Sequence, residues 1–309
     1  MDGVQRWRRL GLVFAPSGDQ EWMASHAAYP TPLVLDDGSV RVFFATRDRA
    51  NRSSMVSLDL ALEDDRFEVL VPPDRPLLAP GVRGAFDDSG ITVGSVVRNQ
   101  GRIFAYYLGW TLGVSVPFRN FIGLAIAEAP GPAFERHSQV PVIDRSTFDP
   151  HSLSYPWVMR DGDLWRMWYG STTEWAPEGT RMVHVLKEAT SDDGVAWVAS
   201  HRIVLAPAGG GEYALSRPVV VRDPDRYRMW YSVRKPEYAI GYAESPDGIA
   251  WQRKDHLVGI GPSASGWDSD SVEYPAVFDA GARRYMLYNG NGFGRTGFGL
   301  AMLDDGEGP

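Results

Sequence analysis

A polar cluster, a short apolar run, a turn and an aromatic run recur along this chain at a nearly constant interval, and that period limits the fold more than any other feature. The clearest copy is residues 149–170, DPHSLSYPWVMRDGDLWRMWYG, where Asp161-Gly162 divides two apolar runs as a β-hairpin turn would. Aligned on the residue that opens the first strand, the copies start at Pro32, Gly94, Pro156, Pro218 and Pro275, spaced by 62 residues three times and then by 57. Such a period exceeds a helical-repeat unit and holds several strands per copy.

The second run of each copy is aromatic: Phe43-Phe44, Tyr106-Tyr107, Trp168-Tyr169, Trp230-Tyr231 and Leu287-Tyr288. A third run alternates small and large residues, as in Phe121 to Ala125, Ile240 to Ala243 and Phe298 to Ala301. A fourth starts at Phe67, Phe134, Trp197 and Trp251. The last copy stops after its third run at Met302-Leu303, while Trp7 to Pro16 (WRRLGLVFAP) is similar to the fourth runs beginning at Trp197 and Trp251. The expected fold is all-β: a five-bladed β-propeller with four-stranded antiparallel blades, residues 1–309 forming one domain. An N-terminal strand at about 7–16 completes the last blade and leaves no open sheet edge.

A net charge of −8 provides no basic footprint for nucleic acid, and 11 Trp with 13 Tyr suit a hydroxyl-rich small-molecule or oligosaccharide ligand. Cysteine is absent, which removes disulfides and thiolate chemistry. The N-terminus lacks an apolar signal core, and no apolar run reaches the roughly 18 residues of a membrane span, so a cytoplasmic protein is expected.

In a propeller the first strands line the channel, so chemistry is sought at their entrances and in the loops between second and third strands. The entrances bring His26, Asp88, Asp149, His151, Glu212, Arg217, Asp270 and Glu273, and the loops bring Arg47, Asp48, Trp110, Arg234 and Asn289. Carboxyl groups gathered from several blades push their pKa values apart, which lets one site hold an acid and a base. Asp87, Asp149 and Asp268 each follow an aromatic residue at the same repeat position, so a recurring structural turn and a catalytic role are both open to them. Arg47, Arg217 and Arg234 can clamp an anion or pair with neighbouring carboxylates. His26 and His151 are a weak metal signal, and no metal or cofactor is assigned. Ser191 to Trp197 and Ser245 to Trp251 share the pattern S-x-D-G-x-x-W. It resembles the Asp-box turn of sialidases and is read as fold-stabilising.

The blade count, the polar-then-Pro strand starts and the aromatic second strands resemble the five-bladed glycoside hydrolases: families 32 and 68 (invertases and levansucrases), family 43 (arabinanases and xylosidases) and the mannoside phosphorylases of family 130. In family 43 the resemblance implies a base Asp on the first blade, an orienting Asp on the second and an acid Glu in an E-G-P type strand start. Glu273-Tyr274-Pro275 matches the E-x-P form and Asp88 stands near the second-blade position, while the first blade offers His26-Ala27-Ala28-Tyr29-Pro30 and no acid.

The expected function is therefore a carbohydrate-active enzyme, a glycoside hydrolase or a phosphorylase, that cleaves or transfers a glycosyl group by carboxylate chemistry. Glu273 would be the acid, Asp88 an orienting group, and Asp149 or Glu212 the base, with His26, Arg47, Asp48, Trp110, His151, Arg217, Arg234, Asp270 and Asn289 around the substrate. The alternative is a non-hydrolytic propeller that binds or tailors a sugar-like small molecule in a biosynthetic pathway.

Overall fold

A computed structural model describes residues 3–304 apart from 64, 130–132 and 180. Met1 and Asp2, at the start of the N-terminal stretch, lie outside the described residues. The described residues are all-β, broken among them only by a single 3-10 turn and the short helical turn α1 (Asn291–Gly294).

Strands β2 (Ser25–Val34), β3 (Val40–Arg47), β4 (Ser53–Glu63) and β5 (Arg66–Val71) form an antiparallel group. The next comprises β6 (Gly90–Asn99), β7 (Arg102–Leu112), β8 (Phe118–Glu128) and the short β9 (Glu135–Arg136). It is followed by β10 (Leu153–Asp161), β11 (Leu164–Trp175), β12 (Met182–Ser191) and β13 (Val198–Leu205). Then come β14 (Ala214–Arg222), β15 (Tyr227–Arg234), β16 (Tyr238–Ser245) and β17 (Gln252–Arg253). The last group is β18 (Glu273–Ala280), β19 (Arg283–Asn289) and β20 (Phe298–Leu303), and the N-terminal β1 (Trp7–Phe14) pairs antiparallel with β20. The N-terminal segment thus adds the strand that the last repeat lacks.

Side chains on a strand alternate between its two faces, and that explains the aromatic second strands. Phe43 packs with Ile91 and Tyr107 of the following group, whereas its neighbour Phe44 packs with Leu287 and Phe298 of the last. Trp168 faces Met229 and Tyr231, while Tyr169 faces Phe104 and Ile122. The aromatic residues of these strands are buried on both faces because each packs against a neighbouring group, and the polar residues among them, such as Thr46, Arg166 and Ser232, are buried with them. The first strands come together, β2 on β6, β6 on β10, β10 on β14, β14 on β18 and β18 on β2.

Both S-x-D-G-x-x-W turns lie between the third and fourth strands of their groups. Asp193 Oδ1 accepts the Val195 and Ala196 N–H groups, and Asp247 Oδ1 accepts those of Ile249 and Ala250. Gly194 and Gly248 then present carbonyls to Tyr106 and Arg166 of neighbouring strands, which makes the turns fasteners of the fold. Among the described residues no helix is long and apolar enough to cross a membrane.

Candidate functional site

Each first strand carries one residue more than its partner at the same point, a β-bulge that re-aims the chain. In four of them the bulged residue has positive φ and precedes proline: Tyr29 (58°), Tyr155 (52°), Arg217 (52°) and Tyr274 (51°). Bulky side chains rarely adopt this conformation, and it is held here by the pairing on both sides. The alignment on Pro32 is thereby corrected to Pro30, since Ala28 and Thr31 flank the first bulge as Ser154 and Trp157 flank the third. In β6 the position falls to Val93-Gly94. A Cβ on Gly94 would stand 2.5 Å from the Pro156 carbonyl, so glycine is required there.

The bulges turn their side chains toward the meeting point of the first strands. Tyr29 stacks near Tyr274 at 4.1 Å between ring centroids and near Tyr155 at 5.3 Å, with the Tyr29 and Tyr155 hydroxyls 3.3 Å apart. Arg217 lies beneath them, donating to the Val93, Gly94 and Pro30 carbonyls at 3.1, 2.7 and 3.0 Å and to Thr31 Oγ1 at 2.7 Å. Burial lowers its pKa to about 10, against the pull of Tyr29 and Tyr155. Arg217 therefore ties β14 to β6 and β2 through Nη1 and Nη2, which engages these two nitrogens with the protein and not with a ligand.

One step before each bulge stand Ala28, Thr92, Ser154, Ser216 and Glu273, placed by their partners Ala45, Leu108, Gly170, Ser232 and Asn289. Glu273 is the one carboxylate in this set. It is 2% exposed, Oε1 accepts Ser271 Oγ at 2.7 Å and the Phe293 N–H at 3.5 Å, and Oε2 is buried with no partner among the described residues. Burial raises its pKa to about 7, outweighing Ser271, Phe293 and Arg234, with Glu237 adding to the rise. Arg234, on the end of β15, lies 4.5 Å from the Tyr238 ring and 4.7 Å from Phe293, and its Nε donates to the Tyr213 hydroxyl. Burial opposes its charge, yet the Tyr238 and Tyr213 hydroxyls hold its pKa above the usual value. Among the described residues no carboxylate stands within ion-pair distance of Arg234.

The remaining expected carboxylates are engaged elsewhere. Asp87, Asp149 and Asp268 each accept the hydroxyl of a tyrosine 20 residues on (Tyr107, Tyr169 and Tyr288) and a cation from the same or an adjoining strand group: Arg136 at 2.8 Å, Lys187 at 2.9 Å and Arg9 at 3.1 Å. Asp149 is thus a buried structural pin, and its expected role as base is corrected. Glu212 is gripped at both oxygens by Arg253, at 2.8 and 3.1 Å, and also accepts the Ala208 N–H. Burial acts to raise its pKa, but Arg253 and the Ala208 amide lower it, so Glu212 too is withdrawn from the role of base. Asp88 caps a turn through the Gly84 N–H and Ser89 Oγ, both at 3.0 Å, and despite the opposing effect of burial these bonds hold its pKa low.

Among the expected ligand contacts, Asn289 spends its amide on the Tyr29 N–H and the Ala27 and Gly297 carbonyls, fastening β19 to β2. Trp110 Nε1 donates to Ser53 Oγ, Asp48 pairs with Arg52, and Asp270 is exposed on a turn held by Asn291. His151 is half-buried just beyond Asp149. His26 is buried with Nδ1 on Ser25 Oγ, and burial together with Arg47 and Arg295 lowers its pKa to about 4. Arg47 itself donates to Asn51. Among the described residues no group of three or more His, Cys, Asp and Glu side chains is arranged to hold a metal ion.

Sequence reasoning missed the tyrosines as site residues, although Tyr-Pro at 29–30, 155–156 and 274–275 was a legible signal. It also missed His184, set between Ser154 Oγ at 2.6 Å and Thr172 Oγ1 at 2.9 Å, whose pKa burial lowers to about 3.

No protein-family model matches the chain. It is 47% identical over 301 residues to the uncharacterized protein Rv1502 of Mycobacterium tuberculosis, covering 97% of this chain and 99% of that one. Among solved structures it is similar to the complex of BT0996 with RGII, with a TM-score of 0.74, 18% identity, and 99% and 93% of the two chains covered. A structure from the GH130 family of mannoside phosphorylases, which contains glycoside hydrolases that target β-1,2 mannosidic linkages in Candida mannan, matches at 0.74, with 13% identity and 99% and 96% covered. A thermostable family-43 glycoside hydrolase matches at 0.63, with 16% identity and 92% and 94% covered. These likenesses establish the fold as that of the propeller glycoside hydrolases.

Proposed function

The chain belongs to the family of the mycobacterial protein Rv1502, and we propose that it is a carbohydrate-active enzyme, a single closed five-bladed propeller that acts on a sugar bound where its first strands meet. The pairing of β1 with β20 and the packing of β18 on β2 support the closed ring. The chemistry rests on Glu273, a buried carboxyl with its pKa near 7 and one oxygen with no partner among the described residues. A carboxyl tuned this way is a proton donor at neutral pH.

In the proposed step Glu273 gives its proton to the glycosidic oxygen as the bond from that oxygen to the anomeric carbon breaks, and the oxygen of an incoming nucleophile bonds to that carbon. The carboxylate left behind gains the nearby positive charge of Arg234. The tyrosine rings offer an apolar floor for a sugar face. Asp149 and Glu212, the expected bases, are held by Lys187 and Arg253, so neither is free to act as the second carboxyl group. That favours a nucleophile that arrives with the substrate, such as phosphate held by Arg234 or Arg47, with His26 close to Arg47.

The test is a hydrolysis and phosphorolysis screen on aryl furanosides and pyranosides with wild type and Glu273→Gln. Phosphate-dependent turnover lost by orders of magnitude in the variant would support the reading, whereas equal turnover in both would remove Glu273 as the acid. The withdrawal of Asp149 and Glu212 favours one other reading, a propeller that binds or tailors a sugar-like small molecule without hydrolysis. Sugar binding without turnover would select it.

A further inference from the structure

The buried Oε2 of Glu273 raises the question of what shuts it in. The turn between β19 and β20 reaches this carboxyl group, with the Phe293 N–H on Oε1. Its feet are fastened: Asn291 Oδ1 accepts the Asp270 and Ser271 N–H groups at 2.8 and 3.2 Å, and Thr296 Oγ1 donates to the Trp267 carbonyl at 2.7 Å. Between the feet Gly292, Phe293 and Gly294 stand in succession at φ of 68°, 62° and 88°. Glycine takes this conformation freely, but phenylalanine does so under strain.

Phe293 is held lightly for a residue in that position. Its N–H reaches Glu273 Oε1 only at 3.5 Å, its ring lies over Arg234 at 4.7 Å and edge-on to Tyr238 at 5.8 Å, and it is 39% exposed. A cation–π contact at so exposed a site is weak and does not exceed the strain of a phenylalanine in this conformation. Both the Glu273 carboxyl group and one face of Arg234 are thus met by a weakly held residue flanked by two glycines.

We propose that residues 292–295 form a lid hinged at Gly292 and Gly294, and that lifting Phe293 opens Glu273 Oε2 and the covered face of Arg234 together to a ligand. This rests on the reading of Glu273 as the site's acid, but it is tested by accessibility and not by turnover. The experiment is carbodiimide labelling of carboxyl groups with glycine ethyl ester, read by mass spectrometry on the full chain as wild type, Phe293→Ala and Phe293→Leu, with exposed Asp37 as the reference. Labelling of Glu273 should rise several-fold in Phe293→Ala and to a lesser extent in Phe293→Leu, with Asp37 unchanged. Wild-type labelling in a folded variant would overturn the lid, and Phe293→Leu decides the matter if the alanine variant does not fold. Raised labelling in a protein that turns over no glycoside would keep the lid and remove the enzymatic reading.

Discussion

Replacing Glu273 by glutamine should change how stability depends on pH. Burial raises this carboxyl from 4.5 to about 7. At about 1.36 kcal/mol per pH unit, ionising it inside the folded protein costs on the order of 3 kcal/mol. Below pH 4.5 it is protonated in both states and costs nothing. Between 4.5 and about 7 the unfolded chain releases the proton that the folded chain keeps, so stability falls as pH rises, and above about 7 the loss is complete. Glutamine cannot ionise. Its amide nitrogen, placed without an acceptor, costs about 1–3 kcal/mol, but equally at every pH. Urea unfolding of both proteins across this range should therefore show the wild type losing about 3 kcal/mol relative to the variant, or roughly 6 °C in Tm. A gap that does not change with pH would refute the reasoning, because Glu273 would then ionise like a hydrated carboxyl.

Arg217→Met leaves three carbonyls and the Thr31 hydroxyl without their donor, and at about 1–3 kcal/mol for each buried orphan the loss should be at least about 4 kcal/mol by thermal denaturation. A loss under about 1 kcal/mol would show that the guanidinium is not a tie. Asp149→Ala strands the buried Lys187 ammonium and should cost about 3–5 kcal/mol, much of it recovered when Lys187→Met is added. His184 has a depressed pKa of about 3 against 6.5, so its contribution is present above pH 6.5 and is lost as pH falls toward 3. Between pH 7 and 4.5 the urea midpoint of wild type should fall relative to that of His184→Gln, in which the Glu273 contribution is the same.

How much of the site was legible depends on where each residue's partner lies in the chain. Glu273 could be picked out because its E-x-P strand start is local, and the structural turn at Asp149 could be suspected from the recurring aromatic-Asp pair. That Glu212 is spent on Arg253 could not be read, because the partner lies 41 residues away on another strand. The Pro32 alignment missed by two residues for a related reason: a bulge adds a residue without any change of composition, and only the pairing register reveals it.

The sequence by itself determined the architecture, since a period near 62 residues with aromatic second strands can bury both faces of those strands only by stacking sheet against sheet. Even the completion of the last group by Trp7 to Phe14 followed from the missing fourth run. Which carboxyl group stays free was decided by tertiary structure alone. Ionisation depends on burial and on the cations within a few ångströms, and folding brings Lys187 to Asp149 and Arg253 to Glu212 while it leaves Glu273 Oε2 enclosed with no partner among the described residues.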